Sequence, residues 1–442
     1  MKFYLHKLGC PKNDVDGDYI AARLIADGNE PVQVPEDADA VIVNTCGFIL
    51  PAKEESIDEI LRLGQLKQNG RLRRLYATGC LSQRYGDELL TEIPELDGAF
   101  GLGALDSLAD AVTSGVRLER SIRIDSRQLG YLSWQKRYVG DDYPYGYLKI
   151  SDGCERACTY CAIPGMRGKF RSRSLDSILE EAQFLTKQGK KELILVSQEA
   201  TLYGYDLKGR PTILDLLRKL DQINNVEWIR VMYLYPPKLE REVIEYLADD
   251  NKTLNYFDLP LQHVNTDILA AMRRRMTSEA VEDLVRTIRT ISPNATLRTT
   301  FIVGFPGETE QQFQQLYDFV ERAQFDRLGA FVYSKEEGTA AASLAGQVPR
   351  KVKADRMDRL MNLQREIALN RNENLKGTIQ EVIIDSVENG GMAVGRTRGD
   401  CPEIDQEVHL REDDVQPGDI VRVRIDRTDG FDLEGKVVEA YT

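Results

Sequence analysis

Apolar and polar positions in the first third of the chain alternate in a way that predicts strands followed by helices. Short apolar runs predict the strands, and apolar residues recurring every three or four positions predict the helices. The predicted strands are residues 2–7, 40–43 and 72–77, and the predicted helices are residues 14–26, 54–66 and 86–93. A repeated strand-then-helix order is typical of a parallel, doubly wound α/β sheet.

The same alternation restarts with longer units between about residues 145 and 345. The predicted strands are residues 146–150, 192–196, 228–233, 256–259, 296–303 and 327–333. The predicted helices are residues 175–188, 213–223, 239–248, 278–291 and 310–323. Six strands joined by crossover helices indicate a complete or partial β/α barrel. A charged helix over residues 349–375 is predicted to follow it.

The carboxyl-terminal part of the chain changes character. Short strand-like runs at residues 378–384, 407–410, 419–425 and 433–438 are separated by Gly-containing turn signals, which predicts a small all-β barrel. We therefore expect three domains, at residues 1–125, 140–372 and 376–442. A polar stretch around residues 125–142 is interpreted as a linker.

Length and composition limit the function classes. A chain of 442 residues with 42% apolar residues suits two to four folded domains and excludes wholesale disorder. No run approaches the roughly 18 apolar residues that a membrane helix needs, and no secretory signal is evident, so a cytoplasmic protein is expected. Seven cysteines in such a protein favour metal or catalytic thiols over disulfides.

Three of these cysteines, Cys154, Cys158 and Cys161, lie within eight residues. Thiols this close together are typical of one soft-metal centre. A four-iron cubane normally takes four cysteines, so three leave one iron open for another ligand. Structural zinc, the main alternative, needs a fourth Cys or His, and none lies within about ten residues. The spacing favours an open iron–sulfur site just after a barrel strand, where barrel enzymes place their chemistry.

Three other cysteines, which form the first set in chain order, are dispersed. Cys10, Cys46 and Cys80 each follow a predicted strand of the first region. Because the carboxyl ends of parallel strands share one edge of the sheet, the three thiols are expected to meet there. Gly9, Gly47 and Gly79 beside them would allow the backbones to approach closely. The alternative is three ordinary buried thiols. Cys401 is interpreted as a lone structural thiol.

At these residues the sequence resembles a known family. The Cys-x3-Cys-x2-Cys spacing, with an aromatic residue before the last cysteine, resembles the radical S-adenosylmethionine (SAM) enzymes. Three spaced cysteines upstream and a TRAM-like barrel downstream are similar to the methylthiotransferases. The segment LGCPKN at residues 8–13 resembles the RimO branch, the ribosomal-protein methylthiotransferases. The segments NTCGF (44–48), TGC (78–80) and FIVGFPGE (301–308) match the same family, so the resemblance covers essentially the whole chain.

The resemblance implies two 4Fe–4S clusters. One, on Cys154, Cys158 and Cys161, would chelate SAM and generate a 5′-deoxyadenosyl radical. The other, on Cys10, Cys46 and Cys80, would deliver sulfur to the substrate carbon, and a second SAM would methylate it. The implied target is the β-carbon of an aspartate in the twelfth small-subunit ribosomal protein, free or on the small subunit. A low-potential electron donor such as flavodoxin or ferredoxin is the further implied partner.

Two residues outside the cysteines are candidate SAM contacts. Glu199 follows the strand at residues 192–196 and resembles the segment that binds the SAM amino group; the alternative is an acid at a helix amino terminus. Arg298 could meet the SAM carboxylate, since guanidinium suits bidentate binding; the alternative is an internal salt bridge. Gln262 and His263 could line a pocket or form a structural pair.

A basic stretch, Arg167, Lys169, Arg171 and Arg173, follows the clustered cysteines. It could attract an acidic redox donor or hold a substrate backbone. The alternative is a solvated or salt-bridged loop without a binding role.

The charge of the carboxyl-terminal barrel bears on the substrate. Residues 376–442 hold eight Lys or Arg against sixteen Asp or Glu, within a chain of net charge −13. An acidic barrel repels phosphate and attracts a basic polypeptide, so RNA is not the expected direct substrate. The alternatives are a tRNA methylthiotransferase acting on a modified adenosine and, outside the enzymes, an iron–sulfur electron carrier.

Overall fold

A computed structural model of the chain describes residues 1–114, 121–124, 137–140, 143–249, 251–388, 391–411 and 414–440. Most of the stretch interpreted as a linker, residues 125–142, lies outside the described residues. The contacts divide the chain into two units. The first unit comprises Met1–Val139, Ser151–Ser177 and Ser334–Ala342, and the second comprises Gly140–Ile150, Ile178–Tyr333 and Ser343–Thr442. The three predicted domain boundaries stay a prediction.

The first unit is built on a six-stranded sheet with helices between its strands. The strands are β1 (Lys2–Lys7), β2 (Glu30–Pro31), β3 (Ala40–Thr45), β4 (Arg74–Gly79), β5 (Gly98–Phe100) and β6 (Ser121–Arg123). The helices are α1 (Pro11–Ala26), α2 (Leu50–Gln68), α3 (Cys80–Glu92) and α4 (Leu105–Thr113). The strand order is β2-β1-β3-β4-β5-β6, and all neighbours are parallel.

Every residue of β3 is buried, because helices cover both faces of the sheet. One core lies around Val41, Val43 and Leu75, and the other lies around Phe3, Ile42 and Leu108. Successive residues of β3 therefore enter the two cores in turn, on opposite faces of the sheet. This is the doubly wound sheet predicted from the sequence.

The second unit contains six parallel strands in two sheets of three. They are β7 (Tyr145–Lys149), β10 (Glu192–Val196), β11 (Trp228–Val231), β12 (Tyr256–Gln262), β13 (Thr296–Val303) and β14 (Arg327–Val332), in the orders β11-β10-β7 and β12-β13-β14. A backbone hydrogen bond of 3.0 Å from Leu234 to Asp258 links the two sheets beyond β11. The helices of this region are α6 (Leu175–Lys187), α7 (Ile213–Leu220), α8 (Arg241–Ala248), α9 (Thr266–Ala271), α10 (Ser278–Ile291) and α11 (Glu310–Ala323), followed by α12 (Arg350–Leu375). The predicted β/α region is confirmed as a partial barrel.

The segment between β7 and α6 contains the short strands β8 (Ser151–Asp152) and β9 (Arg171–Ser172) and the helix α5 (Ile163–Arg167). It belongs to the first unit. The clustered cysteines lie in this segment, so the structure assigns both cysteine sets to the same unit.

The last part of the second unit is a closed five-stranded barrel. Its strands are β15 (Ile379–Glu388), β16 (Met392–Thr397), β17 (Val408–Arg411), β18 (Ile420–Asp429) and β19 (Asp432–Ala440), in the order β15-β16-β17-β19-β18. The all-β barrel is confirmed, with β16 as a strand that the sequence pattern did not predict. Among the described residues, no helix is long and apolar enough to cross a membrane.

Candidate active site

The dispersed cysteines lie at one edge of the first sheet, as predicted. Cys10 immediately precedes α1, Cys46 directly follows β3, and Cys80 begins α3 directly after β4. The strands β1, β3 and β4 are neighbours in parallel register, so their carboxyl ends lie side by side. The topology therefore brings the three thiols to the edge where open α/β sheets bind ligands.

Three glycines make this close approach possible. A Cβ on Gly9 would lie 2.7 Å from the Cβ of Cys46, and a Cβ on Gly47 would lie 2.9 Å from the backbone carbon of Cys80. A Cβ on Gly79, which has a φ of +93°, would lie 2.5 Å from the carbonyl oxygen of Thr45. Any side chain at these positions would push the cysteine-bearing turns apart.

Side-chain hydrogen bonds fix the same turns. Asn13 donates from Nδ2 to the carbonyl of Leu8 at 2.7 Å, and Asn44 donates to the carbonyl of Asn13 at 2.7 Å. Ser56 on α2 accepts from the backbone N–H of Cys46 at 3.0 Å and donates to its carbonyl at 3.1 Å. Because these groups are buried or half-buried, the cost of leaving them unpaired holds the turns in one arrangement.

Two thiols of this set, Cys46 and Cys80, are poor nucleophiles by themselves. Burial, followed by the charge of Cys80, raises the pKa of Cys46 to about 12, and burial also raises the pKa of Cys80. A buried thiol becomes a thiolate when a soft cation replaces its proton. The donor set and the glycine-lined turns therefore fit an iron–sulfur cluster better than a redox or nucleophilic thiol.

The clustered cysteines occupy a loop that is closed at its base. Ser151 and Asp152 of β8 pair with β9, and the N–H of Cys154 donates to the carbonyl of Gly168 at 3.1 Å. Gly153, at φ +77°, leaves no room for a Cβ against the carbonyl of Lys169. All three cysteines are half-buried. Three accessible thiols on one short loop fit a cubane that keeps one iron for an outside ligand.

The donor sets do not match a single metal ion. Within the described residues, no three His, Cys, Asp or Glu side chains are arranged to hold one ion. Cubane ligands bind separate irons and are spaced more widely than the ligands of one zinc ion. The preference for a cluster over mononuclear zinc therefore rests on the donor chemistry: three thiolates at Cys154, Cys158 and Cys161, with no fourth Cys or His within about ten residues.

Glu199 lies three residues beyond β10 and is 2% exposed. Thr201 donates to its Oε1 from 3.3 Å. This position is at the carboxyl end of a barrel strand, where barrel enzymes bind substrates. The SAM contact predicted for Glu199 stays a prediction.

Arg298 lies near the amino-terminal end of β13, away from the carboxyl ends of the barrel strands. Its guanidinium pairs with Asp258 at 3.0 Å and with Asp405 of the carboxyl-terminal barrel at 3.4 Å. The internal salt bridge, the alternative to a SAM contact, is therefore present. The predicted contact of Arg298 with SAM stays a prediction that these pairs do not favour.

Gln262 ends β12 and His263 directly follows it; His263 is fully buried. Its Nδ1 accepts from the backbone N–H of Asn265 at 2.9 Å, and its Nε2 lies 3.5 Å from a carboxylate oxygen of Glu308. Arg356 of α12 pairs with the same carboxylate at 3.3 Å. The structural alternative thus describes His263 better than the pocket wall.

The basic stretch after the clustered cysteines is not a continuous surface. Arg167 and Arg173 are buried, Arg171 is half-buried and Lys169 is exposed. The four cations form one basic stretch in the sequence, whereas the fold gives them different degrees of burial. Arg167 in particular contacts groups beside the first cysteine set, a role that sequence reasoning missed because spacing along the chain does not show burial.

Comparison with known proteins is consistent with this architecture. Residues 148–320 match the radical SAM superfamily, residues 377–438 match the TRAM domain, and residues 2–101 match the uncharacterised protein family UPF0004. The chain is 41% identical to the ribosomal protein uS12 methylthiotransferase RimO of Clostridioides difficile, covering 99% of both chains. The chain belongs to the RimO family. Two further RimO proteins agree with this assignment. That of Pelotomaculum thermopropionicum is 44% identical over 99% of both chains. That of Carboxydothermus hydrogenoformans is 43% identical over 99% of this chain and 100% of that protein.

Membership of the RimO family makes the chain a radical SAM methylthiotransferase, an enzyme that uses SAM and iron–sulfur chemistry. The tRNA-modifying enzyme and the electron carrier are not favoured. Among solved structures, the radical SAM methyltransferase TsrM from Kitasatospora setae, with cobalamin and a [4Fe-4S] cluster bound, has a TM-score of 0.55 at 16% identity, covering 86% of this chain and 80% of that one. A likeness at this identity supports the fold alone.

Proposed function

We propose that the chain methylthiolates an aspartate of ribosomal protein uS12 at its β-carbon. The observation that carries this proposal is the match to RimO proteins at 41% to 44% identity over nearly the full length. The geometry supports it, because six cysteines form two separate three-thiol sets in the first unit.

The cysteines are proposed to hold the cofactors. Cys154, Cys158 and Cys161 would hold one 4Fe–4S cluster, and Cys10, Cys46 and Cys80 would hold the other. When bound, the clusters and SAM supply the radical, the sulfur and the methyl group. The chain would contribute burial and fixed geometry, since Cys80 is buried and Cys46 is half-buried between buried neighbours.

The acidic carboxyl-terminal barrel supports a protein substrate. With sixteen acidic and eight basic residues at 376–442, it favours a basic ribosomal protein over the phosphates of RNA. The substrate is proposed to be met in the cytoplasm, free or on the small subunit. A low-potential donor such as flavodoxin or ferredoxin is proposed to supply the electron.

The test is to incubate the reconstituted chain anaerobically with methyl-labelled SAM and a reductant, adding uS12 or tRNA in separate reactions. Mass spectrometry should show a methylthio group on uS12 and no labelled methyl group in tRNA. Label that appeared only in tRNA would overturn the substrate.

Cysteine variants test the division of labour between the two sets. Cys158→Ala should abolish the formation of 5′-deoxyadenosine, whereas Cys46→Ala should keep SAM cleavage and lose methylthiolation. Cys401→Ala is the matched control, because Cys401 is a buried thiol outside both sets and should leave both reactions in place. Methylthiolated product from Cys46→Ala would contradict the role of the first set.

A further inference from the structure

A buried arginine joins the two segments that carry the cysteine sets. Arg167, at the end of α5, is 3% exposed and follows the last clustered cysteine by six residues. Its Nη1 pairs with Asp152 at 3.0 Å, on the strand that leads into the cysteine loop. Its Nη2 pairs with Asp16 of α1 at 2.9 Å. One guanidinium thus connects the base of the cysteine loop to the helix that begins after Cys10.

The same guanidinium contacts a cysteine of the first set. Nη2 lies 3.5 Å from the Sγ of Cys80 and 3.5 Å from Oδ1 of Asn13. Asn13 is the residue that ties the turns after β1 and β3 together. The N–H groups of Arg167 therefore reach both the sulfur of Cys80 and the hydrogen bonds that position Cys10.

The electrostatics match this geometry. The guanidinium of an arginine stays protonated in proteins, and here it pairs with Asp152 and Asp16. The group is therefore a fixed cation. In the interior of a protein such a charge acts on its neighbours more strongly than it would in water.

We propose that Arg167 is a positioning residue for the first cluster, which orients the Cys80 thiolate and raises the reduction potential of the cluster bound to it. This inference rests on the proposed function, since it takes Cys10, Cys46 and Cys80 as cluster ligands. Hydrogen bonds to the sulfurs and nearby charge are among the factors that set the potential of such clusters. A cation with an N–H aimed at a ligand sulfur stabilises the reduced, more negative form.

Lysine cannot replace arginine here. The planar fork of Arg167 serves Asp152 from Nη1 and both Asp16 and Cys80 from Nη2, whereas an ammonium group is a single point charge. Arg167→Lys should therefore keep the charge and lose the directed N–H···S contact. Arg167→Gln should lose both, so the two variants separate charge from orientation.

The experiment measures the midpoint potential of the first cluster in the full-length chain. A Cys154→Ala, Cys158→Ala, Cys161→Ala background removes the second cluster, and redox titration followed by electron paramagnetic resonance then reports the first cluster alone. Arg167→Gln should shift the potential to lower values, and Arg167→Lys should shift it less. Arg173→Gln is the matched control, because Arg173 is equally buried but donates to Ser177.

The outcomes separate this inference from the proposed function. Absence of iron in the triple-cysteine background with Arg167 intact would refute the first cluster and with it the proposed function. A cluster that is present and keeps its potential in Arg167→Gln would overturn only the role of Arg167. Should Arg167→Gln fail to take up iron, Asp16→Asn/Arg167→Gln removes one of the two carboxylates that lose the guanidinium. Because that variant also restores the local net charge, a smaller lowering of the potential is expected from it, due to the lost N–H···S contact alone. An unchanged potential there would also overturn the role.

Discussion

Replacing Gly79 by alanine tests the claim that the close approach of β3 and β4 builds the first cysteine site. Gly79 has a φ of +93°, and an added Cβ would lie 2.5 Å from the carbonyl oxygen of Thr45 and 2.6 Å from Oδ1 of Asn44. The substitution therefore costs two things, the left-handed backbone and the steric contact. The contact falls directly beside Cys80 and Cys46.

The chain provides a control that carries only the first cost. Gly28 has a φ of +85°, and an added Cβ would meet nothing within 4 Å. A positive φ costs an alanine about 1–2 kcal/mol, and more at Gly79, whose ψ of −159° lies in a region that is essentially restricted to glycine. Forcing an extra carbon into a packed site costs about 1–3 kcal/mol more. Gly79→Ala should thus lower the free energy of unfolding by about 2 kcal/mol more than Gly28→Ala does.

Differential scanning calorimetry of the two variants measures this difference. At about 2–4 °C per kcal/mol for a domain of this size, Gly79→Ala should melt about 4–8 °C below Gly28→Ala. After anaerobic reconstitution Gly79→Ala should keep SAM cleavage and lose about half of the iron, because Cys10, Cys46 and Cys80 no longer lie close enough together to hold a cluster. Equal melting temperatures and equal iron contents would refute the reasoning.

Two further predictions concern buried ion pairs. Burial acts to raise the pKa of Glu336, but hydrogen bonds, from Lys53 at 2.7 Å and Arg84 at 3.0 Å among others, hold it below its ordinary value. The stabilisation is therefore present at neutral pH and is lost as the pH falls through the folded-state pKa of Glu336. Glu336→Gln should lower the free energy of unfolding by about 3 kcal/mol at pH 7. A series of denaturation curves in which this difference persisted unchanged into acid would contradict the assignment. Arg396 pairs with Glu192 at 2.8 Å, and both side chains are buried. Arg396→Met should therefore lower the free energy of unfolding, measured in urea, by about 3–5 kcal/mol. A loss below about 1 kcal/mol would show that the pair contributes little to stability.

The position of Cys10, Cys46 and Cys80 at one edge of the sheet could be predicted because it depends on topology alone. A cysteine placed directly after a buried parallel strand lies at the carboxyl edge of the sheet whatever the details of packing. Gly9, Gly47 and Gly79 could be predicted for the same reason, since the approach of adjacent turns needs small residues.

Other features depend on long-range contacts that the sequence pattern does not contain. Arg298 was a reasonable SAM candidate by residue type, yet it pairs with Asp405, more than one hundred residues away in the chain. Arg167 looked like part of a basic surface, but burial against Asp16 and Asp152 makes it a core cation. The strand Met392–Thr397 was missed because Gly395 weakens its pattern, although the close approach of the Ile383 backbone leaves no room for a side chain there.

The central claim is that two separate sets of three thiols each hold a four-iron cluster. Iron and acid-labile sulfide, counted per chain in protein purified without oxygen, test it most directly. The account predicts about eight irons and about eight sulfides, falling to about four of each in Cys46→Ala. A preparation that contained zinc instead, or one that kept its full iron content in Cys46→Ala, would contradict it.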